Sequence, residues 1–277
     1  MPASPYTVNC SILLTELPLL QRPEAARAAG FDAVEFWWPF AEATPSDREV
    51  DEFVSAISDA GVQLTGLNFA AGDMPGGERG ILSHPGRSAD FRASVDIAVE
   101  IAKRLGTKAF NALYGNRRDD AGVDEQDAAA VENLIYASEA TREIDAVVLI
   151  EPVSGSPLYP LKLAADAVAV IDRVAAQSDG TANNLRLLAD VYHMSVNGDD
   201  VPAALEGHAD LIGHVQIADA PGRGEPGTGS LPLAGYLEQL AGYGYRGYVG
   251  LEYKASREDP FDWLPLEHRS VHVRADR

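Results

Sequence analysis

The architecture this sequence predicts is a closed (β/α)8 barrel, an α/β fold, and three observations carry the prediction. Short β-branched runs alternate with longer helical stretches eight times along the chain, and such alternation gives parallel strands joined by right-handed crossovers. The chain is 277 residues long, near the about 250 residues that a barrel of this kind takes. No GxGxxG follows the first apolar run, so the fingerprint of an open, dinucleotide-binding sheet is missing. No linker or break in composition divides the chain, and all 277 residues read as one domain.

The predicted strands are Thr7–Leu14, Ala33–Trp38, Leu64–Phe69, Ala109–Tyr114, Val147–Pro152, Leu185–Val191, Ile212–Ile217 and Tyr248–Tyr253. The clearest helix runs from Phe91 to Leu105, with Phe91, Val95, Ala98, Ala102 and Leu105 on one face and Gly106 placed to end it. A second starts after an Asp124 cap and carries Val131, Leu134, Ile135 and Ser138 along a stripe. A third spans roughly Leu161–Ala176. Asp259-Pro260 predicts a short final helix that Pro265 interrupts.

Apolar residues make up 46% of the chain, enough for a sizeable core, while the net charge is −20. That charge repels nucleic acid and anionic membrane surfaces, whose partners need Lys and Arg to neutralise phosphate. No apolar run approaches the ~18 residues of a membrane span, and the Met-Pro-Ala-Ser-Pro start lacks the features of a signal peptide. The single cysteine, Cys10, allows no intrachain disulfide. A cytoplasmic enzyme is the expectation; a homo-oligomer is compatible with the sequence but not specified by it.

Active sites of such barrels form at the C-terminal ends of the strands, so polar groups there are informative. Strand five ends in Glu151, strand six in Asp190, strand seven carries Gln216 and strand eight ends in Glu252. Any one of them could be a salt-bridged structural residue. Four at equivalent depth converge, and three clustered carboxylates stay ionised together only beside a cation. Three carboxylates and an amide oxygen form a hard set that suits Mg²⁺ or Mn²⁺; no Cys pair or H-E-x-x-H supplies a zinc signature. His193 leaves strand six beside Asp190 and faces substrate. His214 shares the side of Gln216 but sits deeper, where orienting a ligand is as apt a role as catalysis. Two glycine-rich loops, Ala71–Gly80 and Pro221–Gly229, bring Arg79 and Arg223 above the acidic mouth, where a carboxylate or oxyanion can be gripped.

Several stretches together resemble the hydroxypyruvate isomerase family among the xylose isomerase-like TIM barrels. They include Phe31-Asp-Ala-Val-Glu35-Phe, Asp190-Val-Tyr-His-Met194, Gly213-His-Val-Gln-Ile-Ala-Asp219, Arg223-Gly-Glu-Pro-Gly-Thr-Gly229 and Glu252-Tyr-Lys254. Asn68-Phe-Ala-Ala71 departs from the family's more usual Asn-Leu-Pro-Ala. The resemblance implies a divalent metal on Glu151, Asp190, Gln216 and Glu252, with Glu151 and Glu252 as the acid/base pair. It implies interconversion of hydroxypyruvate and tartronate semialdehyde through an ene-diolate, with His193 and Arg223 contacting substrate and Lys254 or Arg79 neutralising its carboxylate. Isomerases of longer oxo-acids of the 2-oxotetronate type and ketose 3-epimerases use the same constellation. A DNA-repair endonuclease shares the barrel but requires a histidine-rich zinc cluster and a basic surface, against six histidines and a charge of −20 here.

Overall fold

Eight parallel strands close into a barrel in strict chain order, β1 pairing with both β2 and β8, in a computed structural model that describes residues 4–270. Residues 1–3, part of the start weighed as a leader, lie outside the described residues. The strands are β1 (Tyr6–Asn9), β2 (Ala33–Phe36), β3 (Gln63–Asn68), β4 (Ala109–Asn111), β5 (Val147–Ile150), β6 (Leu185–Asp190), β7 (Ile212–Ile217) and β8 (Val249–Leu251). Most are shorter than the sequence predicts, because the apolar runs continue into buried loops at the barrel mouth. After β1, for example, the Asn9 carboxamide oxygen accepts the Ser11 N–H and the Asn9 carbonyl accepts the Leu13 N–H, turning the chain out of the sheet.

The helices are α1 (Arg22–Ala28), α2 (Asp47–Ala60), α3 (Ser88–Leu105), α4 (Val123–Arg142), α5 (Ala164–Gln177), α6 (Val191–Val196), α7 (Val201–Gly207) and α8 (Leu233–Gly242). Of the stripe on α3, Phe91, Val95, Ala98 and Ala102 are buried and Leu105 is half-buried, and Gly106 ends the helix in the left-handed region at φ 78°. Two expectations require correction. Gly122, not Asp124, precedes the first turn of α4, and Asp124 lies inside that turn, where a carboxylate still complements the helix dipole. No α-helix starts at Asp259-Pro260: the Asp259 carboxylate accepts the Phe261 N–H, and a turn leads to a single 3-10 turn at Leu266–His268. The third helix starts at Ala164, since the Asp166 carboxylate takes the N–H groups of Lys162 and Leu163 and holds them extended.

The outer face of the sheet is buried under the helices: Val8, Val34, Leu64, Phe110, Val148, Leu187, Val215 and Leu251 join the main core, while Ala109, Leu149 and Leu188 form a separate small cluster on the inner face of the barrel. Phe69 and Phe110 stack with ring centroids 5.4 Å apart. Register shifts occur between Val34 and Glu35 on β2 and between Leu187 and Leu188 on β6. The extra residue lies on the partner strand each time, Thr65 on β3 and Gly213 on β7, and such bulges re-aim the side chains around them, here those opposite Glu35 and those that lead to His214 and Gln216. Among the described residues, no helix is long and apolar enough to cross a membrane.

Candidate active site

Strand geometry brings the predicted residues to one end of the barrel. Glu151 follows β5, Asp190 ends β6, Gln216 pairs in register with Asp190 on β7, and Glu252 follows β8. All four are at most 5% exposed, so the three carboxylates and the amide have lost nearly all contact with bulk water. Partners partly offset this loss. The Asn111 amide donates to Glu151 Oε2 at 2.7 Å. The Trp37 indole N–H and the Arg223 guanidinium both donate to Glu252 Oε1, at 3.2 and 2.5 Å. Asp190 caps α6, its Oδ1 accepting the N–H groups of Tyr192 and His193.

These contacts connect five of the predicted residues. His193 Nε2 lies 3.9 Å from Glu151 Oε1 and 3.7 Å from Asp190 Oδ2, while Arg223 Nη2 lies 3.8 Å from Asp190 Oδ2. Glu151, Asp190 and His193 can present ligand atoms that all lie within 4.8 Å of one another. Gln216 joins through a residue that the strand-end pattern did not flag: its Nε2 donates to Glu35 Oε1 at 2.7 Å. Arg79 and Lys254 line the same cavity, which measures about 1070 Å³, but touch none of the four. Asp190 and Gln216 are not part of the cavity lining.

Electrostatics distinguish the ionisable groups. Burial pushes the Glu252 carboxyl up to about 8, against the opposing pull of Arg223. Burial and the neighbouring Glu252 and Asp190 charges drive Glu151 well above the usual carboxylate range. Burial also lowers His193 to about 4, so its ring is neutral at pH 7. The Ser154 N–H donates to His193 Nδ1 at 3.1 Å, which puts the ring proton on Nε2. A protonated Nε2 has no lone pair for a cation; it is a hydrogen-bond donor aimed at the carboxylate cluster.

The residues present fit a divalent cation. Asp190 Oδ2 and Gln216 Oε1 are buried acceptors with no hydrogen-bond donor among the described residues, the Arg223 guanidinium coming no nearer to Asp190 Oδ2 than 3.8 Å, an arrangement that costs free energy unless a partner meets them. With Glu151 and Glu252 they would make an all-oxygen set, the donor chemistry of Mg²⁺ or Mn²⁺.

The loop that carries Arg223 is built, not slack. The Asp219 carboxylate accepts the N–H groups of Ala220, Gly227 and Leu231, and buried Glu225 accepts from Ser256 N and Oγ and Arg257 N. Arg223 itself has a left-handed backbone, φ 61°, and its carbonyl accepts the Lys254 N–H at 2.7 Å. Sequence reasoning missed Glu35, Asn111 and Ser154 as parts of the site, and read the Trp37-Trp38 pair only as a contact surface or as packing beside it. Glu35 carried the same signal as Glu151, Asp190 and Glu252, a carboxylate inside a buried apolar strand. Asn111 and Ser154 are neutral and gave none.

Residues 23–270 match the model of the xylose isomerase-like TIM-barrel family. The chain is 53% identical over 275 residues to a putative hydroxypyruvate isomerase of Streptomyces coelicolor, covering 96% of this chain and 97% of that protein. It is 35% identical over 251 residues to the hydroxypyruvate isomerase of Escherichia coli, covering 90% and 93%. Among solved structures it is similar to an AP endonuclease, family 2, from Brucella melitensis, with a TM-score of 0.82 at 29% identity over 94% of this chain and 97% of that one.

Proposed function

Since this chain belongs to the xylose isomerase-like TIM-barrel family and is an isomerase of the hydroxypyruvate isomerase type, we propose that it interconverts hydroxypyruvate and tartronate semialdehyde. The observation that carries the reading is a pair of buried glutamates, each with one oxygen anchored. Asn111 holds Oε2 of Glu151; Trp37 and Arg223 hold Oε1 of Glu252. The second oxygen of each accepts no hydrogen bond among the described residues, and both side chains line the same cavity.

A divalent cation, Mg²⁺ or Mn²⁺, held by Glu151, Asp190, Gln216 and Glu252 would acidify the C–H beside the substrate carbonyl and stabilise the oxyanion of the ene-diolate. The remaining work falls to the chain's own groups. One glutamate takes a proton from C3 of hydroxypyruvate, and a proton is returned to C2; the hydroxyl proton passes from O3 to O2, so the atoms balance. A carboxyl lifted toward neutrality by burial suits both removal and return. The neutral His193 Nε2–H donates to a substrate oxygen. Arg223, stacked 5.5 Å from the Tyr192 ring centroid, stays beside Glu252. Arg79 and Lys254 form no ion pair with a carboxylate among the described residues, which leaves both available for the substrate's own.

Turnover of hydroxypyruvate in D₂O tests the reading. The product should carry solvent deuterium on C2, chelation should abolish turnover and Mn²⁺ should restore it. Glu252→Gln should lower kcat by about 10²–10⁴-fold, while Mn²⁺ remains bound. Undiminished turnover in that variant would remove Glu252 from the chemistry. Faster turnover of a four-carbon oxo-acid or a neutral ketose would reassign the substrate. An endonuclease reading is disfavoured by the charge of −20, and by a cluster that contains one histidine beside two carboxylates.

A further inference from the structure

Buried beneath the carboxylate cluster, Glu35 on β2 is 3% exposed and accepts hydrogen bonds from three side chains. Asn9 Nδ2 reaches its Oε1 at 3.1 Å, Gln216 Nε2 reaches the same oxygen at 2.7 Å, and His214 Nε2 lies 2.7 Å from Oε2. No step of the proposed isomerisation uses Glu35. The β8 residue alongside is Gly250, and a Cβ there would come within 2.7 Å of both Gln216 Cγ and Glu35 Oε1. The fold therefore keeps β8 bare at the one place where this pair needs the space.

The chemistry of an amide explains the arrangement. Its two ends are nearly equal in size but opposite in character, an acceptor oxygen and a donor NH₂. A buried carboxylate is acceptor-only, so only the NH₂ end of Gln216 can face Glu35. The oxygen end is then forced the other way, and Gln216 Oε1 is a buried acceptor without a donor. We infer that Glu35 is a positioning residue that fixes the flip of the Gln216 amide and so presents its oxygen to a cation, with His214 and Asn9 holding the Glu35 carboxylate in place. The inference rests on the metal site argued above and extends it to a group outside the ligand set. It also makes His214 a support for Glu35 rather than a group acting directly on substrate.

Mn²⁺ affinity, read from free Mn²⁺ by electron paramagnetic resonance, tests this without reference to turnover. An amide at position 35 can pair with either flip of Gln216, so Glu35→Gln should weaken Mn²⁺ binding about 10–100-fold, with the circular dichroism of the barrel unchanged. A carboxylate at position 216 has two equivalent oxygens and no wrong face. In a Gln216→Glu background, Glu35→Gln should therefore cost less than about threefold, a coupling that only a double-mutant cycle reveals. Equal losses in both backgrounds, or no loss in either, overturn the inference. The parent protein offers an independent check. On addition of Mg²⁺ the Gln216 side-chain carbonyl carbon should shift in ¹³C NMR while its NH₂ protons stay bonded to Glu35, and an unmoved carbonyl overturns the inference even if Glu35→Gln does not fold. A parent that binds no Mn²⁺ at all overturns the metal site itself and this inference with it.

Discussion

The two glutamates of the site differ in the number and charge of their donors. Glu252 Oε1 takes the Trp37 indole N–H at 3.2 Å as well as the Arg223 guanidinium, while Glu151 is held by a neutral amide. A hydrogen bond to a charged group in a buried setting contributes about 1.5–3 kcal/mol. Trp37→Phe keeps the ring in the cavity wall and deletes only the N–H. It should lower kcat by about tenfold or more, the equivalent of ~1.4 kcal/mol, with KM nearly unchanged. A variant that altered KM alone would assign Trp37 to substrate packing instead. His193 illustrates a different lesson at this scale. Proximity groups it with Glu151 and Asp190, yet the Ser154 N–H on Nδ1 decides that its other nitrogen donates. Which atoms are near matters less than which protons they carry.

Among the elements, one carboxylate of α4 gathers donors from the loop after β4 and from α5. Asp127 accepts from the Tyr114 hydroxyl at 2.6 Å, from Arg117 at 2.6 Å and from Arg173 on α5 at 3.3 Å. Burial works against the charged form, but these donors outweigh it and hold the carboxyl below its usual value. A depressed pKa in the folded protein means stability that is present above the unfolded pKa of about 4 and lost as pH falls through the folded value. Asp127→Asn should be less stable than the parent at neutral pH, with the gap closing below about pH 4 in chemical denaturation. A gap that stayed constant through the acid limb would deny Asp127 this role. The segment after β8 shows how far element-level signals reach. Asp259-Pro260 has the composition of a helix start, but the Asp259 side chain bonds the Phe261 N–H and closes a turn instead. Short polar side chains offer the backbone this alternative wherever the following residues do not form a helix on their own.

For the molecule as a whole, a cation that binds only the folded barrel must stabilise it. At a free Mn²⁺ concentration about 100 times its dissociation constant, the gain is about 2.7 kcal/mol. The midpoint of thermal unfolding should rise with Mn²⁺ and fall back with chelator, and a midpoint indifferent to both would contradict a folded-state site. The sequence alone determined the eightfold alternation, the parallel barrel and the identity of the strand-end carboxylates. Those are local properties: apolar runs, turn residues and the rule that active groups follow the strands can be recognised within a dozen residues. Only the tertiary structure decided how the site is wired. Glu35 meets Gln216 across 181 positions of sequence, and Trp37 meets Glu252 across 215. Such contacts depend on closure of the sheet, on the register shift beside Glu35 and on the bare backbone at Gly250, and none of these leaves a periodic trace in the chain. Depth and facing direction in a barrel are set by all eight strands at once, so the direction in which a buried amide turns its oxygen is fixed only when the last strand pairs with the first.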